Sequence, residues 1–261
     1  LFLTTSERTN ENLTDRAKIA AQELGIPYVD RKKETLVSMQ ERLQDNCIVM
    51  GKTRMELYHF KKDSMREVPF FFHPNSANFR VKRLIKGESD PLIEVMELEA
   101  GMKVLDCTLG LASDSIVMSF AAGEDGKITG LEGNPYVAYI VAAGLHSWGT
   151  GIPELDAAMK RIEVISSTHL EYLKSCEDGS FDIVYLDPMF EESIKESEGI
   201  NAMRDWAVYT ELSDEVVEEA KRVAAKKVVL KEHFRSPLFK KYGFRQIIRK
   251  SSKFHFGVLD K

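Results

Sequence analysis

Cysteine is scarce in this chain: three residues in 261, Cys47, Cys107 and Cys176, scattered and odd in number. That argues against a disulfide framework and for a reducing, cytoplasmic compartment. No apolar run approaches the roughly 20 residues that cross a bilayer, so no membrane partner is expected. Neither His-Glu-x-x-His nor Cys-x-x-Cys spacing occurs, and no metal site is expected. Internal repeats and low-complexity segments are also missing. The chain opens on Leu1 rather than methionine, which suggests a trimmed sequence, and Leu1-Phe2-Leu3 is too short for a signal peptide.

An excess of positive charge is absent too. The net charge of -5 speaks against a protein that coats nucleic acid indiscriminately. It leaves room for local basic faces, and two segments qualify: Arg80 to Lys86, and Lys226 to Lys253 with ten Lys and Arg. Both also read as ordinary solvated faces. The length suits one large α/β domain plus a smaller one.

What is present sorts into three stretches. Residues 1–66 read as a small α/β domain, a candidate RNA-docking module. Strands are predicted at Phe2–Thr4, Ile26–Val29, Cys47–Met50 and Met55–Phe60, and helices at Asn12–Leu24 and Thr35–Leu43. Residues 67–98 connect, with a strand at Phe70–Phe72 broken by proline, a basic helix over Ala77–Lys86 and a linker at Gly87–Pro91. From 99 to 261 the pattern alternates. Strands are predicted at Lys103–Cys107, Lys127–Leu131, Ile162–Ile165, Phe181–Leu186 and Lys227–Lys231. Helices are predicted at Ala112–Ala122, Tyr136–His146 and Ser213–Ala225. Phe244–Arg249 and Phe254–Leu259 follow without room for a crossover helix, which predicts a terminal antiparallel hairpin on an otherwise parallel, Rossmann-like sheet.

Two strand ends carry the chemistry. The first strand runs into Asp106-x-Thr108-x-Gly110 and feeds a helix with Ser113 and Asp114 in its first turn. Glycine there lets backbone approach a ligand, and helix-start N–H groups point at it. Roughly 20 residues on, the next strand ends in Glu132-Gly133, where an acid can accept both hydroxyls of a ribose. The arrangement suits NAD or S-adenosylmethionine (SAM). NAD requires Gly-x-Gly-x-x-Gly, and the run Gly110-Leu111-Ala112-Ser113-Asp114-Ser115 keeps only the first glycine. An acid in this loop repels a pyrophosphate and suits an amino group and a sulfonium, so SAM is favoured. Asp106 and Thr108 also read as loop-capping residues. The third strand ends before Thr168-His169, a loop expected to flank an adenine, with His169 as a wall or cap. The fourth ends in Tyr185-Leu186-Asp187-Pro188-Met189-Phe190, an acid, a proline and an aromatic at the carboxyl edge, where open α/β sheets bind ligands.

Acid-Pro-x-aromatic at this strand end resembles the corner of enzymes that methylate base amines. Val104-x-Asp106-x-Thr108-x-Gly110-Leu111-x-x-Asp114 together with Tyr185 to Phe190 resembles, more closely, the bacterial small-subunit rRNA guanine-N2-methyltransferase family. Val228-Val229-Leu230-Lys231 and Ser252-Lys253-Phe254-His255-Phe256 are similar to two further patterns of that family. The resemblance covers about Phe72 to the end. It implies a class I SAM-dependent fold, with cofactor contacts at Ser113, Asp114, Glu132, Gly133, Thr168, His169 and Asp187, and an rRNA partner. Departures exist: Ala112 replaces a glycine, Ser113 an arginine, and Asn75 to Lys86 a Gly-Arg-Gly segment. The start of the chain is faintly similar to Brix-type ribosome-biogenesis proteins.

An exocyclic base amine is a poor nucleophile, because its lone pair is conjugated into the ring. Asp187 or the Pro188 carbonyl is expected to accept its protons, with Phe190 stacked on the base. Lys231, Lys253 and Arg80 are candidates for phosphate or base carbonyl contacts. Two other readings stay open: a protein- or small-molecule O-methyltransferase, and a non-catalytic RNA-binding or ribosome-assembly factor on the same fold.

Overall fold

The computed structural model describes residues 1–60, 68–188, 206, 208 and 212–261. The chain divides into two compact units. The first comprises Leu1–His73, Pro135–Trp148 and Lys195–Ala207; the second comprises Pro74–Asn134, Gly149–Ile194 and Val208–Lys261.

In the first unit, β1 (Phe2–Thr5), β2 (Cys47–Met50) and β3 (Met55–Tyr58) form a three-stranded sheet in that order. The β1–β2 pair is parallel and the β2–β3 pair antiparallel. Helices α1 (Glu11–Glu23) and α2 (Leu36–Leu43) belong to this unit. The side chain of Asn10 caps α1 by accepting the Leu13 N–H, and Thr35 caps α2 in the same way. The strands predicted at Ile26–Val29 and Phe70–Phe72 are single bridges instead, Leu3 to Tyr28 and Leu57 to Phe70. Pro27 and Pro69 have no N–H to donate, which stops either ladder from growing.

The second unit holds α3 (Asn75–Ile85), α4 (Pro91–Met96), β4 (Lys103–Asp106), α5 (Ser113–Ala122) and β5 (Lys127–Glu132). Helix α6 (Pro135–Ser147) groups with the first unit. The second unit continues with α7 (Pro153–Lys160), β6 (Glu163–Ser166), α8 (His169–Ser175), β7 (Phe181–Leu186) and α9 (Asp214–Val223). It ends with β8 (Ala224–His233), α10 (Leu238–Lys241), β9 (Arg245–Ile247) and β10 (Phe254–Asp260).

Its seven strands lie in the order β6-β5-β4-β7-β8-β10-β9. All neighbours from β6 to β8 are parallel, and β10 is antiparallel to both β8 and β9. The predicted hairpin is present, with its second strand inserted between β8 and the first. The chain builds outward from β4 to one side, then returns to β7 and builds to the other. That reversal opens a crevice at the carboxyl ends of β4 and β7. Burial explains the strands: β7 is covered on both faces, and Leu105, Leu131, Val184, Leu186 and Leu230 form one core with Val216 and Val217 of α9.

Three features were not expected from the sequence. Strand β8 runs two residues further, to His233. The supposed linker ends in a helix: Pro91 occupies the first turn of α4, and Asp90 caps it by accepting the Leu92 N–H at 3.0 Å. Thr168 caps α8: its hydroxyl accepts the Glu171 N–H at 3.4 Å and donates to the Glu171 carboxylate at 2.8 Å, a start signal readable in the sequence.

Candidate functional site

The crevice is framed by two acids on adjacent strands. Asp106, at the end of β4, is 1 % exposed. Its Oδ1 accepts the Thr108 N–H at 3.0 Å and the Thr108 hydroxyl at 3.3 Å. Its Oδ2 accepts the Ser115 hydroxyl at 2.6 Å. Burial pushes its pKa up to about 7, against those hydrogen bonds. The Thr108 hydroxyl also accepts the Asp187 N–H at 2.8 Å, tying the β4 loop to the β7 corner. The loop reverses through left-handed backbone at Gly110 (φ 50) and Ala112 (φ 59). Gly130 on β5 makes room for it, since a Cβ there would lie 2.4 Å from Leu109 Cδ1.

Asp187 follows β7, and β7 pairs with β8 so that Leu186 faces Leu230. One step on, Asp187 Oδ2 accepts the Lys231 ammonium at 2.6 Å. Asp187 Oδ1 is buried with no hydrogen-bond partner among the described residues. Burial pushes the Asp187 pKa up to about 6; Lys231 pulls it down and Asp114 pushes it up. Lys231 also reaches Asp114 Oδ2 at 3.1 Å, and the Tyr185 hydroxyl donates to the same oxygen at 2.8 Å. Asp114 Oδ1 pairs with Arg80, which forks onto both oxygens of Asp90 at 2.7 and 2.8 Å. Burial works against the Asp114 carboxylate, yet Lys231 and Arg80 hold it well below the usual range. Burial would likewise deprotonate Lys231, and its two carboxylates outweigh that.

The sequence singled out Asp114 and Asp187, but neither Asp90 nor the ion pairs that join them. Arg80 and Lys231, read as phosphate contacts, form one chain of ion pairs: Asp90, Arg80, Asp114, Lys231, Asp187. Nothing local signals this, since Arg80 arrives from α3 and Lys231 from the neighbouring strand.

At the end of β5, Glu132 is 8 % exposed. Burial raises its pKa, opposed by the N–H groups of Asn134, Gly110 and Gly133 that orient it. Helix α5 starts at Ser113 without a side-chain cap. Thr168 serves as the cap of α8, and His169 beside it is buried, which lowers its pKa. Pro188 is half-buried. Lys253 is exposed at the start of β10, outside the ion-pair chain. Phe190 lies outside the described residues. Among the described residues no group of three His, Cys, Asp or Glu is placed to hold a metal, and no helix is long and apolar enough to cross a membrane.

Residues 31–256 match the family model described as "Putative SAM-dependent methyltransferase". The uncharacterized protein YpiP of Bacillus subtilis is 44 % identical over 258 residues, covering 99 % of this chain and 98 % of YpiP. Ribosomal RNA small subunit methyltransferase J of Psychrobacter arcticus is 30 % identical over 112 residues, 40 % of this chain and 36 % of that protein. Its Legionella pneumophila namesake (strain Philadelphia 1) is 25 % identical over 187 residues, 71 % of this chain and 67 % of that protein. Among solved structures, a SAM-dependent methyltransferase from Neisseria gonorrhoeae shares the fold, with a TM-score of 0.65 over 100 % of this chain and 96 % of that one at 17 % identity.

Proposed function

This chain belongs to the SAM-dependent methyltransferase family, and from that premise we propose that it methylates an exocyclic amine of an RNA base, with guanine N2 of small-subunit rRNA as the favoured target. One observation carries the choice of an amine: the buried, unpartnered Oδ1 of Asp187. Leaving a buried acceptor without a donor costs about 1–3 kcal/mol. An amine N–H would satisfy it, whereas a carboxylate acceptor would bring a second negative charge to the same place. The names of the ribosomal RNA methyltransferases among the relatives support RNA as the acceptor.

The residues present fit the cofactor. Glu132, held in orientation by three N–H groups, suits ribose hydroxyls. The uncapped start of α5 and the turn at Gly110 offer backbone N–H groups to a carboxylate. Gly133 and the Thr168-His169 turn are assigned to the adenine side, and Asp106 and Thr108 to holding the loop. Bound SAM supplies a methyl group made electrophilic by its sulfonium. Asp187 has one oxygen fixed by Lys231 and the other without a donor among the described residues, which leaves it to the target nitrogen. It orients the amine lone pair and takes the proton released as the N–C bond forms and the methyl–sulfur bond breaks, leaving a neutral thioether. A carboxylate with a pKa of about 6 is ionised at neutral pH and still basic enough for that transfer. The Pro188 carbonyl is a second acceptor, and Phe190 is assigned to stacking on the base. Arg80 and Lys231 act as positioning residues.

The test is methyl transfer from tritiated SAM to hypomethylated ribosomal RNA, to bulk protein and to small acceptors, with SAM affinity measured by calorimetry. The expected result is label in RNA, lost in Asp187→Asn with SAM affinity retained. Label in protein or small acceptors would support the O-methyltransferase reading, and SAM binding with no label anywhere would support a non-catalytic factor.

A further inference from the structure

Beyond the reacting base, we infer that the β8–β10–β9 edge of the sheet is a docking platform for single-stranded RNA flanking the target nucleotide. The inference rests on the proposed RNA substrate and deepens it. It starts from charge. From His233 to Leu259 the chain carries seven Lys or Arg and no Asp or Glu, within a protein of net charge -5. Two of the seven are neutralised, Lys241 by Asp214 and Arg245 by Asp260. Arg235, Lys250 and Lys253 have no carboxylate partner among the described residues. All three are exposed.

Register then places part of this segment beside the crevice. Phe256 on β10 pairs with Lys231, and Phe254 pairs with His233. Side chains two apart share a face, so His233 and Phe254 lie on the face of Lys231, about 7 Å further out. Lys231 is bonded to Asp187. The platform therefore begins one pleat from the proposed reacting carboxylate. Arg249 packs its guanidinium 5.2 Å from the Phe256 ring, extending the same face towards the edge.

Aromatic rings interleave with the cations. His233 and Phe234 have ring centroids 4.7 Å apart, and the Arg235 guanidinium sits 5.0 Å from the Phe234 ring. Phe234 is 38 % exposed, and Ile248, near the β9–β10 connection, is 73 % exposed. The exposed Phe234 ring and the half-buried His233 and Phe254 rings, among cations with no carboxylate partner in the described residues, offer stacking faces to bases and charges to phosphates. Unpaired nucleotides can use the rings, whereas a duplex keeps its base faces stacked inside. That selects single-stranded RNA as the occupant. Of the two acids that flank the segment, Glu232 is buried and Asp260 is paired with Arg245.

Binding of a fluorescent single-stranded RNA of about 12 nucleotides to the full chain, over a range of salt concentrations, tests this. Replacing Arg235, Lys250 and Lys253 together by Gln should reduce the log–log salt slope by about 2, from three lost phosphate contacts at about 0.7 each. Phe234→Ala should weaken binding about tenfold with the slope unchanged. A charge-matched control with Lys18, Lys160 and Lys174 replaced by Gln should bind as the wild type does. Wild-type affinity and slope in both platform variants would overturn the inference, as would equal affinity for the same sequence as duplex. The reaction is judged separately. Unaltered RNA binding without methyl transfer would overturn the proposed reaction and leave the platform. Methyl transfer to RNA with unaffected platform variants would do the reverse.

Discussion

Asp106 and Asp187 are the same residue type at the carboxyl ends of adjacent parallel strands, yet their surroundings differ completely. Asp106 has both oxygens bonded, all by residues of its own loop and the helix that follows. Asp187 has one oxygen bonded by a lysine from the next strand and the other by nothing among the described residues. Partners supplied within ten residues make a closed structural knot. A partner supplied across the sheet fixes the side chain and still leaves an atom for a ligand. We propose that the first acid serves the scaffold and the second the chemistry, and both assignments can be broken.

The largest effect should come from Asp187. Asp187→Asn keeps the shape, removes the proton acceptor, and is expected to lower kcat about 100-fold or more, the usual range for a positioned acid–base group. The thermal midpoint should hardly move, because Lys231 keeps Asp114 as a partner. Single-turnover methyl transfer and thermal unfolding on the same variant check both halves. A variant with near-wild-type kcat would remove the distinction between the two acids. Asp106→Ala should do the opposite. It strips acceptors from Thr108 and Ser115 and should cost about 2–3 kcal/mol of stability, read by denaturant unfolding. Its SAM affinity would fall only as far as the loop loosens.

Lys231 decides how far the difference can be tuned. In the proposed role Asp187 works as a carboxylate, so activity should fall as pH drops through about 6. The Lys231 charge favours the ionised form. Its removal in Lys231→Gln therefore raises the Asp187 pKa and moves the acid limb of the kcat profile upward by about one unit or more. A merely structural lysine would lower activity at every pH and leave the limb in place. Lys231→Arg, which keeps the charge, should hold the limb near its original pH.

Much of this was legible in the sequence, and the boundary has a physical shape. The strand ends, the glycine turn and both acids were readable because each depends on a few adjacent residues. The pairing of Lys231 with Asp187 was not, because it depends on the β7–β8 register, which sequence periodicity alone does not fix. Arg80 read as a basic-helix charge because its partners Asp90 and Asp114 lie ten and 34 positions away. The insertion of β10 between β8 and β9 was invisible for the same reason. The bridges at Tyr28 and Phe70 looked like strands because apolar β-formers surround them, while nearby prolines decide the outcome.

The smallest effect lies in the closed loop, at Ala112. It is buried and left-handed, at φ 59, a conformation that costs a residue with a Cβ about 1–2 kcal/mol. Ala112→Gly relieves that strain. It also adds about 0.5–1 kcal/mol of chain entropy to be lost on folding, and removes a buried methyl worth about 0.8 kcal/mol. The three contributions nearly cancel, so stability should stay within about 1 kcal/mol of wild type. If Asp106 and its hydrogen bonds set the loop's shape, SAM affinity and kcat should be unchanged as well. A tenfold fall in either, with stability intact, would show that the Ala112 methyl shapes the crevice. The β4 side would then belong to the site as much as the Asp187 corner does.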